Sequence, residues 1–84
     1  MNISEIIFEE IRLITQEMGT PEKRDLDLHT EVFASGLDSL GFAILVAKLE
    51  ERLGYDPFIV MAKPIYPKTI GEFIGIYELH GKSL

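Results

Sequence analysis

Gly36-Leu37-Asp38-Ser39-Leu40 runs straight into Gly41-Phe42-Ala43-Ile44-Leu45-Val46-Ala47-Lys48-Leu49, and the fold turns on how that junction is read. Gly36 lets the backbone turn without a Cβ penalty. Asp38 or Ser39 can then cap the free N–H groups at the head of a helix. Phe42, Leu45, Val46 and Leu49 recur at helical spacing, and Leu40, Ala43, Ile44 and Ala47 fall on or near the other side. Gly54 ends the segment, which predicts a helix over Leu40 to Leu53. Its first half is apolar nearly all round, so it is either enclosed or presents a sticky surface. In an 84-residue chain full enclosure is hard, and a partly exposed apolar face beside Ser39 is expected. Ser39 itself is placed at a helix N-terminus, where backbone N–H groups and the helix dipole favour an anion.

Upstream, Ile3, Ile7, Ile11, Ile14 and Met18 fall at helical spacing, widened by Ile6, Phe8 and Leu13. Asn2 can cap this helix with Glu5 in a capping box, and Gly19 with Thr20-Pro21 ends it. Glu22 to Ser35 is then a long polar connection with Leu26, Leu28, Val32 and Phe33 as anchors, pinned to the bundle and delivering Gly36 to Ser39 at its end. His29 stands alone in it, with no His or Cys at metal spacing. Downstream, Asp56-Pro57 opens a short helix over Phe58 to Ala62, and Pro64 and Pro67 bracket Ile65-Tyr66. Thr69 and Glu72 form a capping box for a last helix whose buried face is Ile70, Phe73, Ile74 and Tyr77, closed by Gly81. The expectation is an all-α single domain over residues 1–84: a small four-helix bundle of three main helices and a short third, with a long loop between the first two.

Composition narrows the class. There are no cysteines, so the core must supply the stability without disulfides or thiolate metal sites. Residues 1–38 hold nine acids against three bases, whereas residues 39–84 hold five of each. That acidic half argues against nucleic acid, whose phosphates reward clustered Lys and Arg. No apolar run approaches the ~20 residues that span a bilayer, and Met1 to Glu10 carries three glutamates and no base, unlike a signal peptide. A cytoplasmic protein without membrane insertion is expected.

Asp-Ser-Leu after a glycine also resembles the GDSL esterases, but Leu37 intervenes between Gly36 and Asp38. A serine nucleophile needs a base held by a third group, and His29 and His80 lie in a polar loop and near the C-terminus. P-loop, dinucleotide and metal motifs are absent.

The whole pattern resembles the acyl carrier and peptidyl carrier protein family: a long loop ending in Gly-x-Asp-Ser-Leu at the head of the second helix, Val32-Phe33 before it, Leu49-Glu50-Glu51-Arg52-Leu53 closing that helix, and Thr69-Ile70-Gly71-Glu72-Phe73 opening the last. The resemblance implies a non-catalytic carrier whose Ser39 receives 4′-phosphopantetheine from coenzyme A through a phosphopantetheinyl transferase, with Asp38 as an adjacent supporting residue. Acyl or aminoacyl groups would ride on the arm as thioesters, loaded by an activating ligase and passed to an acyltransferase or synthase. The competing readings are Ser39 as a plain helix cap and the chain as an unmodified helical interaction module.

One departure from the fatty-acid carriers bears on subtype. Those carriers present several acids along the second helix, whereas residues 41–47 here contain none, and Lys48 and Arg52 balance Glu50 and Glu51. Docking would lean instead on Leu40, Ala43, Ile44 and Ala47, with weaker charge steering. The expectation is a stand-alone, monomeric carrier serving a specialised pathway rather than bulk fatty-acid synthesis.

Overall fold

The computed structural model describes residues 2–19, 26–60 and 67–81. Among the described residues four helices form: α1 Ile3–Glu17, α2 Ser39–Leu53, α3 Pro57–Val60 and α4 Ile70–Gly81, with a 3-10 turn at Val32–Ala34 before α2. Among the described residues there is no strand, only one antiparallel bridge between Glu31 and Thr69. The expected all-α bundle is therefore observed. Thr20-Pro21, Glu22 to Asp25 and the segment 61–66 lie outside the described residues, and with them the Ala62 end of the expected short helix and the Pro64-Ile65-Tyr66 part of the proline bracket.

Each helix starts and stops for a local reason. Asn2 Oδ1 accepts from the Glu5 N–H at 2.8 Å to cap α1. Gly54, at φ 86°, closes α2 in the left-handed conformation that only glycine adopts cheaply. Asp56 Oδ1 accepts from Phe58 N at 2.9 Å and opens α3, with Pro57 at its first position. The Thr69–Glu72 box closes both ways: Glu72 N donates to Thr69 Oγ1 at 3.1 Å, and Thr69 N donates to Glu72 Oε2 at 3.3 Å.

Ile7, Ile11 and Ile14 of α1 meet Leu45 and Leu49 of α2 and Ile70, Phe73, Ile74 and Tyr77 of α4 in one buried core. A fully buried residue of this kind is worth about 2 kcal/mol in transfer from water. Leu13 departs from the expected stripe and is 44% exposed, because one residue on from the stripe turns ~100° around the helix. At the far end of the bundle, Arg52 reaches across from α2 to Glu9 at 2.7 Å and Glu10 at 2.9 Å on α1. These bonds, Glu10 first, hold the guanidinium above its ordinary value.

The α1–α2 loop is pinned, though not as its sequence implies. Val32 is buried and Leu26 half-buried, but Leu28 and Phe33 are 51% and 59% exposed. Backbone does the missing work: Gly71 N donates to Leu28 O at 2.9 Å, Ile70 N to Thr30 O at 2.8 Å, and Val32 N to Lys68 O at 2.9 Å. The loop thereby satisfies the free N–H groups at the start of α4. Gly71 is what permits the approach, since a Cβ there would stand 2.8 Å from Leu28 O. Within the loop, Asp27 Oδ1 accepts from His29 N at 2.8 Å and Thr30 N at 3.0 Å. These donors, His29 first, lower the Asp27 carboxyl below its ordinary value. The imidazole of His29 is exposed, and the residue contributes through its backbone.

Candidate functional site

The loop delivers its last residues onto the head of α2. Buried Ser35 donates its hydroxyl back to Val32 O, closing the 3-10 turn. Gly36 follows at φ 105°, a conformation that a Cβ would strain. Leu37 then plunges into the core at 3% exposure. This buried leucine, which the sequence pattern does not single out, fixes the register of the three residues after it.

Asp38 and Ser39 divide the labour that sequence alone leaves open between them. Asp38, extended at φ −103°, is the cap: its Oδ1 accepts from Gly41 N at 2.7 Å. Its carbonyl accepts from Phe42 N at 2.9 Å. Ser39 is the first residue of α2 and is exposed. Its hydroxyl is therefore not the group that caps the helix, and it sits at the positive end of the helix dipole.

Gly41 is buried where the end of α1 meets the start of α2. A Cβ there would lie 3.1 Å from Leu37 Cδ2, 3.2 Å from Met18 Sδ and 3.4 Å from Asp38 Oδ1. A glycine inside an apolar helical run is the available sequence signal for such an approach.

The face beside Ser39 is apolar and accessible in the expected way, with one adjustment. Leu40 is 64% exposed, and Ala43 and Ala47 are exposed too. Ile44 is half-buried and packs against the core, so it belongs to both surfaces. Phe33 and Ile59 add exposed apolar area from the 3-10 turn and α3.

This geometry fits a phosphodiester-linked group. The hydroxyl is open to solvent, the first N–H groups of α2 have no intrahelical acceptor, and a phosphate at such an end is favoured. The neighbouring Asp38 carboxylate, which would repel a phosphate, has an oxygen committed to the Gly41 N–H. Among the described residues no group of three or more His, Cys, Asp or Glu is arranged to hold a metal ion. No helix there is long and apolar enough to cross a membrane.

Residues 11–60 match the family model described as phosphopantetheine attachment site, from the middle of α1 through α3. The match covers more than half of the 84 residues, and the chain belongs to that family. No curated protein and no solved structure shows significant similarity to it. Domains of this family bear 4′-phosphopantetheine covalently. They act as non-catalytic carriers, working with a modifying transferase and with synthetic enzymes.

Proposed function

We propose that Ser39 is the attachment point of the phosphopantetheine arm, and that the protein carries acyl or aminoacyl groups on it as thioesters between enzymes of a specialised cytoplasmic pathway. The observation that carries this reading is the division at the head of α2: Asp38 caps the helix, which leaves the exposed Ser39 hydroxyl for chemistry. The arm supplies the thiol that a cysteine-free chain lacks. Tethering raises the effective concentration of the carried group at each partner's active site. Asp38 acts mainly by holding the N-terminal turn, and so the serine, in place.

Leu40, Ala43 and Ala47, with the exposed edge of Ile44, serve as the docking face. The absence of acids from residues 41–47 favours contact by apolar area over charge steering, which supports a specialised carrier rather than a bulk fatty-acid one. Incubation with coenzyme A and a promiscuous transferase should modify the wild type and leave Ser39→Ala unmodified. Leu40→Glu, at an exposed position, should fold normally but be modified several-fold more slowly, the loss expected of an interface anchor. Ile44→Glu is the poorer probe because half of that side chain packs on the core. A Ser39→Ala protein that still gains the arm would overturn the assignment.

A further inference from the structure

Among the described residues six aromatic rings form one connected file that begins beside Ser39. Phe33, on the 3-10 turn, keeps 59% of its surface exposed. Its ring lies 5.7 Å from that of Phe42. Phe42 stands three residues after Ser39, hence on the same side of α2. Phe42 is half-buried and meets Phe58 of α3 at 6.2 Å and Phe73 of α4 at 5.6 Å, both edge-on. Phe73 and Tyr77 are buried, and with half-buried Tyr55 they complete the file at 4.9 and 5.8 Å. The outer three rings, Phe33, Phe42 and Phe58, thus form a rim that still faces solvent, with Phe42 and Phe58 packed on the inner ones.

We infer that the group carried by this protein is an aromatic acid, which as its thioester rests against the Phe33–Phe42–Phe58 rim. The inference rests on Ser39 being the attachment point. A group on an arm anchored at Ser39 samples the adjacent rim at high effective concentration, so even a weak surface is occupied. From Ser39 through Ala47 no side chain is ionisable, so a free carboxylate or ammonium on the cargo would find no partner along that part of α2. What the rim does offer is ring edges and faces. Their quadrupoles discriminate an aromatic group from an aliphatic one of equal area, by roughly twofold to tenfold in occupancy for one ring pair.

The test compares two holo-proteins loaded with phenylacetyl or cyclohexylacetyl groups, each linked to the arm as a stable amide in place of the thioester. Intact mass reports loading, and nuclear Overhauser contacts per proton between the arm's terminal ring and the labelled phenylalanine rings report occupancy, a readout that the phenyl ring current does not inflate. Contacts to Phe33 and Phe42 should be at least twice as strong for the phenylacetyl arm as for the cyclohexylacetyl arm. Phe33→Ala, a change at an exposed side chain, should at least halve the contacts at Phe42. Equal contacts for the two groups, or none with either, would overturn the aromatic assignment and leave the carrier reading standing. A rim that ignores both groups but shifts on adding the transferase would make it a partner contact and overturn the assignment as well. A protein that gains no arm at all overturns both readings.

Discussion

Asp38 and Ser39 look interchangeable as caps in the sequence, yet the structure gives them separable energetics. Asp38→Ala removes the acceptor for Gly41 N and should cost about 1 kcal/mol in urea unfolding. Ser39→Ala removes an exposed hydroxyl that caps nothing and should stay within about 0.5 kcal/mol of wild type. If the two costs were reversed, Ser39 would be the cap and the site would lose its free hydroxyl. A second residue carries an opposite prediction. The Tyr77 hydroxyl is fully buried and has no hydrogen-bond partner among the described residues. Tyr77→Phe should therefore be neutral or stabilising, by up to about 1 kcal/mol, since it removes a desolvated polar atom. Burial, with lesser contributions from Asp56, Tyr55 and Glu50, raises the phenol well above its ordinary value. The sign follows from proton binding: below about pH 10 both states hold the phenolic proton, and above it only the unfolded state sheds it. Wild-type stability should thus fall above about pH 10 by up to ~1.4 kcal/mol per pH unit, and Tyr77→Phe should flatten the decline. Chemical unfolding at stepped alkaline pH checks both.

Among the elements, the long α1–α2 connection behaves as part of α4. Its carbonyls at Leu28 and Thr30 take the N–H groups of Gly71 and Ile70, and α4 in turn fixes where the loop can run. Gly71→Ala would drive a methyl into Leu28 O, so it should cost about 1–3 kcal/mol through strain and the displaced hydrogen bond. Hydrogen exchange at Ile70 and Gly71 should accelerate, with little change in the middle of α1. An unchanged exchange pattern would mean that the loop is held by its side chains instead. Of the four apolar anchors expected in the loop, Val32 and Leu26 do pack inward, whereas Leu28 and Phe33 stay exposed. What the sequence cannot show is the backbone share of the holding, because the partners of the Leu28 and Thr30 carbonyls, Gly71 and Ile70, are distant in the chain and leave no pattern in composition. The opposite holds for the Thr69–Glu72 box and the Gly54 stop, which are local in sequence and therefore readable.

For the whole molecule, periodic apolar stripes, caps and breakers specify an all-α bundle and place the start of α2 within one residue. Charge reads less directly. The acidic N-terminal half is partly structural, because Glu9 and Glu10 receive Arg52 from α2, a pairing between distant positions that a charge count cannot show. The aromatic file is likewise invisible in order, since it joins a loop residue, Phe33, to Phe42, Phe58 and Phe73 on three different helices. The geometry at the head of α2 is legible because the residues that build it are consecutive: a turn glycine, a capping carboxylate and a helix start. The most direct test of the central claim is intact mass of the folded protein after reaction with coenzyme A and an active phosphopantetheinyl transferase, followed by fragmentation to locate the change. A single phosphopantetheine increment is expected, lying on Ser39 and on no other residue. An unmodified protein, or an increment elsewhere in the chain, would contradict it.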